Sequence, residues 1–262
     1  MKVGIVMPAY NEEGRIGSTL NAYSRFFNSR LKKNKFDYNI IVVINGTTDN
    51  TKNIVQSIKK KDKRIECMDL VKGGKGYAII EGFKTALNKG SDLIGFVDAD
   101  MATSPEAFYD LIENIGEADG MIASRYISGA RVDPKQPFSR IIASRVFNFI
   151  VRALFLMPYR DTQCGAKIIK REALDKTIKD LGETQWSFDI DLLFKLRKKG
   201  FYIIERPTVW KDQKDSKLNL KKASIQMLFS IIQLRIFNSP FRDLLRIIKP
   251  LTSRLWKLLG RK

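Results

Sequence analysis

Residues 96–106 read FVDADMATSPE, an apolar run that ends in two carboxylates, Asp98 and Asp100, separated only by Ala99. In an extended segment, side chains two residues apart point the same way. Two carboxylates aimed at one spot repel unless a cation lies between them. The spacing therefore predicts a hard divalent cation on oxygen ligands, and beyond it a ligand that the cation helps to hold. A plainer structural reading is a cap for the helix that follows, but Ser104 followed by Pro105 already suits that role. The chain of 262 residues has no histidine. That removes histidine-based triads, histidine-ligated zinc and imidazole acid–base chemistry. Carboxylates, amines, hydroxyls and an oxygen-bound cation remain.

The elements that must position this pair alternate regularly. KVGIVMP, YNIIVVI, IECMDL, DLIGFVD and GMIASR read as strands. Between them lie helices expected over Ile16–Ser29, from near Asp49, over GYAIIEGFKTALNK and over PEAFYDLIENI. This order predicts an α/β chain with a mainly parallel sheet covered on both faces. Ligands in such folds sit at the carboxyl ends of the strands. Four polar segments fall there: PAYNEE, NGTTDNT, KGGKG and DAD. Taken singly, the second is turn and capping chemistry, and the third matches neither GxGxxG nor a P-loop. All four at one edge point to a site.

Composition bounds the class. Hydrophobic residues make up 44% and charged residues 29%, ordinary for a globular chain with a full core. The two cysteines, Cys67 and Cys164, make a disulfide framework unexpected and a reducing cytosol the default. VGIVM is too short for a leader peptide, and the 12-residue uncharged run 223–234 falls short of the roughly 20 residues that span a bilayer. The net charge is +19. Residues 219–262 hold ten Lys/Arg against one acid, Asp243. Runs such as IKKKDKR on the body read as solvated basic faces.

PAYNEE, the Gly-Thr-Thr-Asp turn, GKGYA and DAD together resemble family 2 glycosyltransferases with the GT-A fold. DTQCGAKIIKREAL followed by QWSFDIDLLFKL is similar to dolichyl-phosphate glucosyltransferases and the related mannose synthases and polyprenyl-phosphate glycosyltransferases. The resemblance covers about residues 2–218. It implies that Pro8, Ala9, Tyr10 and Glu12 line the nucleotide pocket, with Asn45 beside it and Lys75 near the base or diphosphate. Asp98 would contact the nucleotide and help place the metal, and Asp100 would ligate Mg²⁺ or Mn²⁺. Arg125, Arg140 and Ser144 would bind the acceptor phosphate, Gln163 and Asp189 would border the reaction centre, and Lys217 would approach the phosphates. Asp189 is open between a base for a hydroxyl acceptor and a positioner. Two departures stand out. The acidic pair usual before the glycine of the second turn is Ile44 and Asn45 here, and Ala102 replaces a glutamine common in mannose synthases. The alanine, with DTQCG, favours UDP-glucose over GDP-mannose.

The implied reaction suits a chain without histidine. A lipid phosphate monoester is largely ionised at pH 7, its second pKa being about 6. It needs neutralisation and aim, which an arginine fork supplies. In-line attack would invert the anomeric carbon. Without the resemblance, the reading for Arg125 and Arg140 is a salt bridge with a nearby acid.

The sequence divides into a catalytic domain, 1–218, and a basic amphipathic tail, 219–262. Leu244, Ile248, Leu251, Leu255 and Leu259 share one side of a projected helix, and Arg242, Arg246, Lys249, Lys257 and Arg261 the other, with Trp256 suited to an interface. The tail is expected to lie on an anionic surface at the cytoplasmic face of the membrane, without spanning it. For the first tail helix, packing on its own domain is an equal alternative. Two other classes fit parts of the sequence. Its charge allows a nucleic-acid-binding protein, although no interleaved aromatic and basic motif is present. Ile44 allows a relative that has lost its donor site.

Overall fold

The computed structural model describes residues 1–31, 36–134, 137–182, 187–211 and 220–239. The elements run β1 (Lys2–Ala9), α1 (Ile16–Leu31), β2 (Asp37–Asn45), α2 (Thr51–Lys61), β3 (Ile65–Leu70), α3 (Lys75–Asn88), β4 (Leu93–Val97), α4 (Pro105–Asn114) and β5 (Gly120–Ser124). They continue with β6 (Arg131–Val132), α5 (Phe138–Phe155), β7 (Ala166–Lys170), α6 (Arg171–Ile178), α7 (Phe188–Lys198), β8 (Ile203–Pro207), β9 (Val209–Trp210) and α8 (Leu220–Phe237).

Seven strands form one sheet in the order β3-β2-β1-β4-β7-β5-β8. All neighbours pair in parallel except β7, which runs antiparallel to both β4 and β5. The expectation of a mainly parallel sheet holds. The inserted antiparallel strand comes from AKIIK, whose role as a strand the sequence reading did not draw. β1 and β4 are buried along most of their length, as sheet strands covered on both faces must be. One core face gathers Ile5, Val42, Phe27 and Phe108 under α1 and α4, and the other gathers Val6, Phe83, Phe96 and Phe188 under α3 and α7. α3 approaches the sheet closely because it presents Gly82 there. A β-carbon on Gly82 would lie 2.9 Å from Val6 Cγ2 and 3.2 Å from Val43 Cγ2.

The chain crosses from the β3-β2-β1 half of the sheet to β4, on the other side of β1. That change of direction opens a crevice at the carboxyl ends of β1 and β4. It lies between Tyr10, after β1, and Asp98, after β4. Of the tail, α8 is described and packs on α5: Ile231 and Leu234 are buried, and Arg235 Nε donates to Leu154 O at 2.8 Å. The amphipathic segment around Leu244–Leu259 lies outside the described residues, as does Lys217. Among the described residues, no helix is long and apolar enough to cross a membrane.

Candidate active site

The loops after β1 and β2 lock together through reciprocal side-chain bonds. Asn11, held at φ 53°, takes its amide hydrogen bond to Thr47 Oγ1 (3.0 Å) and accepts from Thr48 N (2.9 Å). Glu12 N donates to Thr51 Oγ1 at 2.8 Å, Glu13 N to Asp49 Oδ2 at 3.1 Å, and Asn50 N to Glu13 Oε2 at 2.9 Å. These polar residues thus satisfy each other's turn backbones, the ordinary work of Asx and Ser/Thr turns. Glu12 in addition pairs with Arg15. With its amide oriented to match its neighbours, Asn45 donates to Ala9 O (2.6 Å) and accepts from Gly74 N (3.2 Å). It is buried and joins the ends of β1 and β2 to the KGGKG loop. Tyr10 stands at the rim, 57% exposed.

Strand β4 ends at Val97, so Asp98 and Asp100 are not successive outward positions of one strand. Residues 98–102 turn, with Met101 at φ 60° and Ala102 N donating to Asp100 Oδ1 at 2.9 Å. The turn replaces the extended geometry from which the pair was read, yet it still brings the two carboxylates within electrostatic reach. Burial, and then the charge of Asp98, raise the pKa of Asp100 above the usual carboxylate range, with Arg15 and Lys75 opposing. α1 fixes the turn from below: Thr19 Oγ1 donates to Ala99 O at 2.8 Å, and Tyr23 OH to Thr103 O at 2.9 Å. Ser104 accepts from Ala107 N at 3.3 Å with Pro105 behind it, the cap read from the sequence.

Lys75, the first residue of α3, pairs with Asp98 Oδ1 at 2.5 Å. Burial disfavours its charge, but the carboxylates of Asp98, Asp189 and Asp100 outweigh that and raise its pKa. Four of the sequence-read residues, Lys75, Asp98, Asp100 and Asp189, therefore form one electrostatic unit at the crevice. Asp189 is held from the other side by Lys167, whose Nζ lies 2.5 Å from Asp189 Oδ1 and 2.7 Å from Cys164 O. Lys167 is fully buried in β7 and was not singled out in the sequence. The signal was there: a lysine inside the apolar strand AKIIK needs a buried partner.

DTQCG supplies the floor. Asp98 N donates to Gly165 O at 3.1 Å, and the Asp98 carboxylate fills the space where a β-carbon on Gly165 would stand. Gln163 lies half-buried two residues before. Burial pushes the Cys164 thiol up to about 12, so it is a packing group and not a nucleophile.

Arg125 gives its fork to Asp161 of the same motif. Nε–Oδ2 is 2.7 Å, Nη2–Oδ1 is 2.9 Å, and Arg125 N also donates to Asp161 Oδ2 at 2.9 Å. The side chains are 11% and 0% exposed. The guanidinium stacks 5.2 Å from the Tyr126 ring and 5.0 Å from that of Trp210. This is the salt bridge with a nearby acid that the residues alone allowed. Arg140 and Ser144 lie one turn apart on the inner side of α5, both half-buried.

Among the described residues, no third acidic or cysteine side chain completes a metal cluster. Two crowded carboxylates suit Mg²⁺ or Mn²⁺ nonetheless, since such ions are commonly held by one or two carboxylates, water and the phosphates of a substrate. The pair fits a cation by its donor set: two carboxylates at the crevice, one of them, Asp100, disfavoured in its ionised form first by burial and then by the charge of Asp98, which a divalent ion would offset.

The glycosyl transferase family 2 model matches residues 4–178. A dolichyl-phosphate beta-glucosyltransferase of Dictyostelium discoideum is 32% identical over 257 residues, covering 94% of this chain and 76% of its own. The human protein of that name is 28% identical, covering 83% and 69%. Glycosyltransferase AglD of Haloferax volcanii is 30% identical, but the chain spans only 37% of its length. Among solved structures, glucosyl-3-phosphoglycerate synthase from Mycobacterium tuberculosis, in complex with Mn²⁺, UDP-glucose and phosphoglyceric acid, superposes with a TM-score of 0.66 at 18% identity. That match covers 91% of this chain and 81% of the synthase, and it shows the GT-A fold. The chain belongs to glycosyl transferase family 2 and is a glycosyltransferase.

Proposed function

We propose that the protein transfers a hexose, glucose by preference, from a UDP-sugar to a dolichyl or polyprenyl phosphate, with inversion at the anomeric carbon. The observation that carries this reading is the unit of Lys75, Asp98, Asp100 and Asp189 at the crevice between β1 and β4, in a chain that resembles dolichyl-phosphate beta-glucosyltransferases along most of its length. Mg²⁺ or Mn²⁺, held by Asp98 and Asp100, would offset the charge that grows on the departing diphosphate. Lys75, at the amino end of α3, brings a second cation to the same phosphates, and the first N–H groups of that helix favour negative charge. Pro8, Ala9, Tyr10 and Glu12 border the nucleotide pocket in this reading, and Asn45 shapes it by tying β1 to the KGGKG loop.

The acceptor oxygen is already anionic at neutral pH and needs no base. Asp189 therefore acts as a positioner, fixed by Lys167. Arg140 and Ser144 grip the acceptor phosphate from α5. Arg125 is assigned to the same grip by resemblance, and Lys217, outside the described residues, to the phosphates. The enzyme works at the cytoplasmic membrane face, reached by its basic surface. The test offers a panel of labelled nucleotide-sugars, UDP-glucose and GDP-mannose included, with a polyprenyl phosphate and Mn²⁺. Label from UDP-glucose in the organic phase is expected. Label from GDP-mannose alone would overturn the choice of donor, and label from none would overturn the reaction.

A further inference from the structure

α5 buries Phe147, Asn148, Val151 and Phe155, all in its carboxyl half. That half is fixed by contact with its neighbours. Phe155 meets Phe194 of α7 edge-on, with 5.2 Å between ring centroids, and Arg235 of α8 bonds Leu154 O. The amino half has no buried residue, and Phe138, Ile142 and Val146 there are exposed. Arg140 and Ser144 stand on this half, eight and four residues before Asn148. At 3.6 residues per turn the three share an arc of roughly 80°. The face that carries Arg140 and Ser144 thus reaches its first buried residue at Asn148.

Asparagine is a poor helix former, and a buried amide must find partners. Asn148 is 3% exposed and uses both ends of its side chain. Oδ1 accepts from Thr162 N and from Thr162 Oγ1, each at 2.9 Å, and Nδ2 donates to Ser144 O at 3.0 Å. Thr162 is fully buried and is the second residue of DTQCG. Other ties of that motif run to strands or to residues just past them. Arg160 N and Asp161 N donate to Glu205 of β8 at 2.8 and 2.9 Å, and Asp161 holds Arg125. Cys164 O accepts from Lys167 of β7, and Gly165 O from Asp98 N. The sheet therefore holds the motif, and Asn148 ties α5 to that fixed frame. From Asn148 to Arg140 the helix rises about 12 Å, so a tilt of about 5° would carry Arg140 by about 1 Å. A misplacement of about 1 Å can cost about 10²-fold in rate.

We propose that Asn148 is a positioning residue for transfer. Its side chain registers the amino half of α5 against DTQCG and so aims Arg140 and Ser144 at the acceptor phosphate. The inference rests on the reading that these two residues hold that phosphate. The donor side does not depend on Asn148. Asp98 and Gly165 are joined through the pairing of β4 with β7, where Val97 lies opposite Ala166, and through their own backbone bond.

The test uses the full chain with UDP-glucose, a polyprenyl phosphate and Mn²⁺, well below the melting temperature of every variant. Asn148→Leu keeps the volume and removes the acceptor oxygen. It is expected to lower kcat/KM for the polyprenyl phosphate about 10²-fold while the KM for UDP-glucose stays that of the parent. Thr162→Val, which keeps the shape and loses the hydroxyl, shifts the same constant in the same direction by less, and Thr162→Ser restores it. This second pair decides the matter should Asn148→Leu fail to fold. Deuterium exchange over residues 138–148 is measured alongside and is expected to quicken in Asn148→Leu. A fall in melting temperature with both KM values and kcat unchanged makes Asn148 a packing residue and overturns the proposal. A parallel rise in KM for donor and acceptor overturns it as well. In either case the reaction stands. If the parent transfers sugar from no nucleotide-sugar, yet Asn148→Leu quickens exchange over 138–148, the reaction falls and the registering bond stands. No transfer with unaltered exchange removes both.

Discussion

The Asp98 carboxylate occupies the space that a side chain at Gly165 would fill. A β-carbon on Gly165 would lie 2.5 Å from Asp98 Cγ and closer still to Oδ2. The glycine of DTQCG is therefore there for close approach, and it couples that motif to DAD. Gly165→Ala should push the Asp98 side chain off Lys75 while the backbone bond from Asp98 N to Gly165 O persists. Transfer should fall about 10²-fold or more, the usual loss when one preorganised electrostatic contact is displaced. Stability should fall by only about 1–3 kcal/mol, the cost of crowding one site. Initial rates and thermal melts check this, and a fully active alanine variant would show that Asp98 does not need its present seat.

Asp100 carries a consequence of burial first and of the neighbouring Asp98 charge second. Its folded pKa is raised, so the ionised form is less favourable in the folded chain than in the unfolded one. Without a divalent cation, this penalty is fully present above the folded pKa. It fades as pH falls towards the unfolded value of 3.8. Asp100→Asn should therefore leave the metal-free protein as stable as the parent or more so at pH 7, yet nearly abolish transfer. Added Mn²⁺ should raise the melting temperature of the parent and not that of the variant. Equal stabilisation of both by Mn²⁺ would move the cation to other ligands.

The two arginines assigned to one acceptor phosphate should separate by stability. Arg125 and Asp161 form a buried bidentate pair, and removing one partner of such a pair costs about 3–5 kcal/mol because the other charge stays buried. Arg125→Ala should thus unfold at much lower temperature, and Arg125→Lys should recover part of the loss. Arg140→Ala, at a half-buried position without the Asp161 fork, should lose less stability than Arg125→Ala and raise the KM for the lipid phosphate without changing that for the nucleotide-sugar. If Arg125→Ala melts with the parent and loses only acceptor binding, then Arg125 grips the phosphate and the Asp161 pair is incidental.

Much of the frame was legible because each strand-and-helix repeat carries its own periodicity. IECMDL becomes β3 with the bounds read from it, and Ser104–Pro105 opens α4 as its capping chemistry requires. DAD was legible as two carboxylates brought close together, although its geometry is a turn and not an extended strand. What could not be read were pairings between distant segments. Nothing local tells that Asp161 takes Arg125, that Asn45 bridges Ala9 and Gly74, or that AKIIK inserts antiparallel between β4 and β5. α5 was missed as a helix for a related reason. Its apolar residues fall on two opposite faces, so the one-sided periodicity that marks a helix in a soluble domain is blurred.

Lys167 gives the last prediction. Its side chain is 1% exposed and pairs with Asp189 at 13% exposure, one group sealed in the sheet and the other at the edge of the crevice. The lysine cannot shed its partner without leaving a charge in the core. The aspartate, beside Lys75 and partly in water, is less dependent. Asp189→Asn should therefore destabilise the fold more than the exposure of Asp189 alone suggests, because it strands Lys167. Lys167→Met should cost less in stability, since the carboxylate keeps Lys75 and solvent, but should let Asp189 swing and lower kcat with little change in KM for the nucleotide-sugar. In the double variant, Lys167→Met with Asp189→Asn, the stranded charge is gone. Its melting temperature should recover to near that of Lys167→Met alone, while transfer stays low. A double-mutant cycle in melts and in kcat separates the two effects. Additive losses in stability would show that the pair carries no coupling. Normal turnover in Lys167→Met would show that Asp189 is positioned by something other than this lysine.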